Sequence, residues 1–385
     1  MTHTTTESDR QPVDVHIIGT GSYLPGDGIS FDAIEDVLGT LEHLPEGLAK
    51  WEKRMKKTMS RLMGTRKYYY GLDPATREPV EDNTTLSVKA LQRAIAAAGI
   101  EPESIDLLVW GGVFPDQLCP NQGVFIISAL GLKHCIEISL NSNCSAPCKG
   151  ILIARDLLAA GTVNTAVVVS SQMSSQFLRA DVFNPAMTDK HSLLLRWILC
   201  DGAGAVVMKR GSDRKGFLVE TCYVDYYGTD LEPNMYCLFG SKHSHLPSVW
   251  AEGLHHLRQN YTETLALGPE IFFHGVFDML KRSNMTLRDI DWFIADIISA
   301  DSFKKGQDWA SETLGFPRER ALSLACEKGY PGAPIMLTSL DHIARGTIVA
   351  PGERVALFET ESSKWINAGL ILRKSHHDDT TGTSS

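Results

Sequence analysis

Apolar positions along the chain fall into two alternating patterns. Short continuous runs predict buried strands, and longer stretches with apolar residues at helical spacing predict helices. Val13–Ile18 reads as the first strand. Thr84–Ala98 reads as a helix with Gly99 as its stop. Ile105–Trp110 predicts a strand, Asn121–Leu130 a helix, Ile136–Leu140 a strand and Gly150–Ala160 a helix body. Thr165–Ser170 and Ala203–Met208 are further strands. After Gly211 the series restarts, with strand Phe217–Val224, helix Pro269–Ser283, strand Ile290–Ile294 and helix Ala333–Ala344. Strands Val355–Phe358 and Ala368–Leu372 close it.

The two halves resemble each other. Ala97–Val109 and Ser283–Ile294 both run from a helix end through a short polar link to Ile-Asp and an apolar strand. Repeated α/β units predict mostly parallel sheets covered by helices, with catalytic groups at strand ends. The expected division is 13–211 and 212–373, with disordered tails at 1–12 and 374–385. His376 and His377 fall in the second tail and read as solvated rather than metal-binding.

Composition narrows the function. The 385 residues are 43% hydrophobic, enough for a large core, and the net charge of −9 argues against bulk nucleic-acid binding. Eight dispersed cysteines predict a reduced, cytoplasmic protein rather than a disulfide framework. No apolar run reaches the roughly 18–20 residues of a membrane span, and residues 1–10 carry no signal core. The segment from Lys50 to Lys67 is densely basic, interleaved with Trp51, Met55, Met59 and Met63. It predicts one amphipathic helix, either a solvated face or a docking surface for an acidic carrier protein or a phosphate-bearing cofactor.

Cys144 is the main chemical candidate. It follows a predicted strand and the polar turn Asn141-Ser-Asn143, and precedes a predicted helix. A thiol there faces the positive end of the helix, which favours thiolate and predicts a lowered pKa. The placement points to acyl transfer through a thioester. Other candidates are weaker. Cys148 reads as core rather than as a metal ligand. Gly19-Thr-Gly21 lacks the third glycine and helix start of a nucleotide turn. His243 and His245 lie in a loop able to cover the site, and are surface residues or replacement bases. His274, on a helix, reads as a core histidine or a site residue. Trp110, Phe114 and Leu118 line an acyl or acceptor pocket or belong to ordinary core.

Several motifs, in order, give the chain a family resemblance. These are Thr65-Arg-Lys-Tyr-Tyr69, Pro115-Asp116 followed by Pro120, Cys144 seventeen residues before Gly161, Cys200-Asp-Gly-Ala-Gly-Ala205, and Ile290-Asp-Trp-Phe-Ile294. Over residues 13–373 the chain resembles the thiolase superfamily, and within it the ketoacyl synthase III group. The resemblance implies a five-layered αβαβα fold of two similar halves, a homodimer, Cys144 as nucleophile, and an acyl thioester substrate carried on coenzyme A or the phosphopantetheine of an acyl-carrier protein. It implies no permanently bound cofactor and no metal.

The departures bear on the reaction. Members that condense chains by decarboxylation place a histidine and an asparagine beside the cysteine, as donors to the developing enolate. Here Asp296 and Tyr330 stand at those positions, and the glycine-rich turn before the last strand reads Thr360-Glu361-Ser362. An ionised carboxylate repels an enolate but accepts a proton from a hydroxyl or amine. The expectation is therefore an acyltransferase of natural-product biosynthesis that forms an ester or amide, with Asp296 as base, Tyr330 as an oxyanion donor or space-filler, and Ser362 near the substrate. The alternatives are a carbon–carbon condensing enzyme with a rearranged base, or a non-catalytic partner subunit.

Overall fold

In a computed structural model, residues 13–211, 216–346 and 348–376 are described. The tail expected at 1–12 and the residues after His376 lie outside them. Twelve strands occur there: β1 Val15–Tyr23, β2 Leu107–Gly112, β3 Ile136–Asn141, β4 Thr165–Met173, β5 Asp201–Arg210, β6 Phe217–Tyr226, β7 Met235–Tyr236, β8 Arg258–Gln259, β9 Trp292–Ala295, β10 Ala321–Leu322, β11 Arg354–Glu361 and β12 Ile366–Lys374. Six helices frame the site: α1 Glu46–Met63, α2 Asn83–Ala98, α3 Gln122–Leu130, α4 Ala146–Ala159, α5 Tyr261–Arg282 and α6 Ile335–Arg345.

Each half of the chain repeats one strand order. The first runs β3-β2-β4-β5-β1 and the second β10-β9-β11-β12-β6. In each, the first three strands are parallel and the last two pairings antiparallel. The halves meet where β1 and β6 pair antiparallel through His16–Leu218 and Ile17–Phe217.

The layers follow from which faces are apolar. Cys148, Ile151, Ala154 and Leu158 of α4 and Met336, Leu337, Leu340 and Ile343 of α6 share one buried cluster with strand residues of both halves. α4 and α6 thus form a central layer between the two five-stranded sheets. Leu86, Leu91 and Ile95 of α2 cover the outside of the first sheet, and Val276, Met279 and Leu280 of α5 cover the outside of the second. Each fully buried aliphatic side chain of the central layer contributes about 1.5–3 kcal/mol. The five-layered fold implied by the family resemblance is the one observed; the mostly parallel sheets expected from the alternating pattern are not, because the closing strands of each half and the junction between them pair antiparallel.

Most strands run longer than the sequence reading, and several boundaries shift with a visible cause. α5 begins at Tyr261 rather than Pro269, because Asn260 caps it by accepting the Glu263 N–H, and Pro269 sits on an exposed face within it. α1 starts at Glu46 and ends where Gly64 adopts a left-handed φ of 60°, which leaves Arg66 and Lys67 beyond the helix. The last strand continues through Lys374, one residue into the expected tail. Among the described residues, no helix is long and apolar enough to cross a membrane.

Candidate active site

The site lies where the central layer meets the carboxyl ends of the parallel strands. Cys144 occupies a turn between β3 and α4, as the sequence predicts, and is 7% exposed. Its Sγ lies 3.1 Å from the Tyr330 hydroxyl. Tyr330 is held by its backbone: its carbonyl accepts the Cys200 N–H at 3.0 Å, which ties the site to the Cys200–Ala205 motif. Gly329 and Gly332 flank it at φ of 77° and 75°, where a Cβ would strike Cys200 Sγ and the Gln172 side chain respectively.

Asp296 follows β9. Its Oδ1 accepts the Leu324 N–H at 3.0 Å and its Oδ2 accepts the Ser339 hydroxyl of α6 at 2.8 Å. Burial outweighs these bonds and pushes its carboxyl up to about 7. The parallel register of β9 and β11 pairs Leu357 with Ile294 and Phe358 with Ala295, so the next residues in line are Glu359 and Asp296. Glu359 points to the same side as Val355 and Leu357, which belong to the central core. It is 7% exposed, and neither carboxyl oxygen has a hydrogen-bond partner. The Met336 backbone amide acts on it without closing such a bond. Burial first, then Asp296 and Glu361, hold its carboxyl well above the usual range.

Glu361, two residues on, locks the nucleophile turn. Its Oε2 accepts the Ser145 N–H at 3.0 Å, the Ser142 hydroxyl at 3.1 Å and the Ser145 hydroxyl. Its Oε1 accepts the Ser363 hydroxyl. Lys149 of α4 donates to Ser142 Oγ at 2.7 Å.

This arrangement corrects one expectation. The Cys144 thiol is not lowered by the helix end but raised well above its ordinary value, first by burial, then by Glu359 and Glu361. The positive end of α4 already holds an anion, the Glu361 carboxylate. The Tyr330 hydroxyl is raised too, by burial and then by Cys144 and Glu359, with Asp296 adding to the effect. The resting pair is thiol and phenol, and proton removal has to accompany attack by sulfur.

Comparison with known proteins relates the sequence and the fold to others. Residues 138–225, which span the nucleophile turn and α4, match the 3-oxoacyl-[acyl-carrier-protein (ACP)] synthase III family model. The chain is 26% identical over 363 residues to the beta-ketoacyl-[acyl-carrier-protein] synthase III of Alkalilimnicola ehrlichii, covering 89% of this chain and 94% of that one. It is 25% identical over 286 residues to the enzyme of the same name from Rhizorhabdus wittichii, covering 72% and 80%. The chain is similar in sequence to ketoacyl synthase III proteins and shares their fold. AbyA1, a tetronic acid condensing enzyme, shares the fold with a TM-score of 0.75 at 23% identity, over 93% of this chain and 99% of that one. So does OleA of Xanthomonas campestris, with a TM-score of 0.72 at 17% identity, over 94% and 100%.

Within this synthase III-like frame the other candidates separate. Ser362 donates no bond to the cysteine turn; its Oγ accepts the Gln259 side-chain amide at 3.0 Å. Trp110 lies in the outer core of the first sheet, its Nε1 donating to Ser171 Oγ at 3.0 Å. Phe114 packs on Phe177 with ring centroids 3.9 Å apart, in the cluster that includes Tyr330. Leu118 is exposed. His243 closes a turn with Gly240, and exposed His245 precedes a short helix and contacts Ser248 Oγ at 2.9 Å. His274 is exposed on α5 beside Tyr227 rather than in the core. Cys148 is fully buried, its thiol donating to the Tyr223 and Gly369 carbonyls. Met235 of β7 reaches the site as well, its sulfur 3.2 Å from Asn143 Nδ2.

Glu359 is the site residue that sequence reading missed. The signal was present: Val355, Leu357, Glu359 and Glu361 share one face of an apolar strand, so two carboxyls stand on its buried side.

Proposed function

We propose that the protein takes an acyl group from a coenzyme A or carrier-protein thioester onto Cys144 and passes it to a hydroxyl or amine acceptor. The observation that carries this reading is the side-by-side placement of Asp296 and Glu359 next to Tyr330, whose hydroxyl touches the nucleophile. Asp296 in its ionised form and the Glu361 carboxylate oppose an anionic malonyl extender and its enolate. A carboxyl near neutrality instead suits removal of a proton from the acceptor.

In this scheme the Cys144 proton passes through the Tyr330 hydroxyl to a carboxylate as sulfur attacks the donor carbonyl. The thioester forms and the carrier thiol leaves. Asp296 then takes the proton of the acceptor, whose oxygen or nitrogen attacks the acyl carbon, and sulfur departs with a proton returned by Tyr330. The exposed Lys53, Arg54, Lys57 and Arg61 of α1 supply a basic surface for an acidic carrier protein. β3, with no fully buried residue along its length, offers an edge for pairing with a second copy.

The test is intact mass after incubation with a panel of acyl-coenzyme A and acyl-carrier thioesters, followed by product analysis with alcohols and amines. An acyl adduct that disappears in Cys144→Ala, and an ester or amide product, supports the reading. A β-keto product from two thioesters would replace it with carbon–carbon condensation. Absence of any adduct across the panel would remove it.

A further inference from the structure

We propose that the acceptor is a cationic primary amine, received as an ammonium ion by the paired carboxyls of Asp296 and Glu359. This rests on the acyl-transfer reading above and names its acceptor class. The decisive observation is the state of Glu359. A carboxyl group buried to 7% exposure with no hydrogen bond closed on either oxygen carries a desolvation cost that only the Met336 backbone amide reduces. Strand alternation turns it toward the central layer, where it stands close enough to Cys144 to act on the thiol.

Asp296 compounds this. Its two hydrogen bonds come from neutral donors, a backbone N–H and a serine hydroxyl. Glu361 adds a third carboxylate, with its charge directed at Ser142, Ser145 and Ser363. The Lys149 ammonium is engaged on that same side, at Ser142. Facing the Asp296–Glu359 pair are therefore Cys144 from the nucleophile turn, Tyr330 and Cys326 from the segment before α6, and Glu361 from β11. An arriving ammonium brings three N–H donors and the positive charge this pair lacks; an alcohol brings one donor and no charge.

The steps balance. The ammonium R–NH3+ enters, and Glu359 releases its proton to solvent to become its counter-ion. One N–H proton then moves to a carboxylate of the pair, leaving R–NH2 with the free lone pair that attack requires. The nitrogen attacks the thioester carbon on Cys144. The C–N bond forms, the C–S bond breaks, and a second N–H proton reaches Sγ through Tyr330. The products are a secondary amide with one N–H and the free Cys144 thiol.

The probe is butylammonium chloride against butan-1-ol, titrated calorimetrically into the full-length protein at pH 7 in two buffers of different ionisation heat. Butylammonium is expected to bind at least about tenfold more tightly than butanol and to release a proton. Glu359→Gln is expected to abolish that proton release and weaken butylammonium about tenfold, with butanol unaffected. Glu359→Met, which removes the unpartnered carboxyl outright, should give the same loss with a raised thermal midpoint. Equal binding of alcohol and ammonium, or proton release retained in both variants, overturns the proposal. Because the titration needs no acyl group, it decides the amine site even where no adduct forms on Cys144. Where one does form, butylamine should discharge it faster than butanol.

Discussion

Ser145 donates its backbone N–H to Glu361 Oε2 at 3.0 Å, joining the nucleophile turn to a strand end 216 residues away in sequence. The helix terminus expected to activate Cys144 is thereby neutralised by a residue of the other half. Glu361→Gln keeps an acceptor oxygen for Ser145 but removes one of the groups that, after burial and Glu359, raise the thiol. Alkylation of Cys144 by iodoacetamide at pH 8 should then quicken about threefold to tenfold, since one pKa unit is a tenfold change in thiolate. A folded variant alkylated no faster than wild type would show that this carboxylate does not restrain the sulfur.

Asp296 gives the protein a pH signature of defined sign. Its carboxyl is ordinary near 3.8 when unfolded and pushed up to about 7 when folded. The folded state therefore holds a proton that the unfolded state has lost, so stability is greatest below about 4 and falls as pH rises toward 7. Asp201, raised to about 6 by burial, acts in the same direction. Thermal unfolding midpoints should decline from pH 4 to 7 in wild type and decline less in Asp296→Asn. The rate of acyl discharge should run the opposite way, rising through an apparent value near 7 that belongs to the Asp296–Glu359 pair. A discharge rate flat from pH 6 to 8 would exclude the pair as base.

Tyr330 should matter to the chemistry more than to the fold. Its hydroxyl is 3.1 Å from Cys144 Sγ, while its backbone is fixed independently by Cys200. Tyr330→Phe keeps the ring and the backbone bond and deletes the proton path. Both acyl loading and discharge should slow by about a hundredfold, the lower range for loss of a positioned acid–base group. An unchanged single-turnover rate would leave Tyr330 as filler.

Much of this was legible in the chain. Runs such as Val167–Val169 and Leu357–Phe358 are buried on both faces, so continuous apolar sequence marked them as strands of a covered sheet. Cys144 was legible because a strand, a short polar turn and a helix leave one place for a nucleophile. The raised thiol was not, because its causes are Glu359 and Glu361, brought together with it only by the stacking of the two halves. Met235 escaped for a related reason: β7 and β8 are two residues each and carry no periodicity. Glu359 was hidden by the habit of ending a strand at its first charge.

The basic face of α1 separates carrier docking from chemistry. Met59 and Met63 are buried beneath it, whereas Lys53, Arg54 and Lys57 are exposed and Lys56 is engaged 2.7 Å from Glu35. Reversing Lys53, Arg54 and Lys57 to glutamate leaves the buried face untouched. If an acidic carrier docks there, loading of Cys144 from carrier thioester should slow about tenfold or more at low salt, the lower range of electrostatic steering. The deficit should shrink as added salt shortens the screening length. Loading from the matching acyl-coenzyme A should change far less. Equal losses from both donors would trace the effect to the site or the fold, and no loss from the carrier would leave α1 as a solvated face.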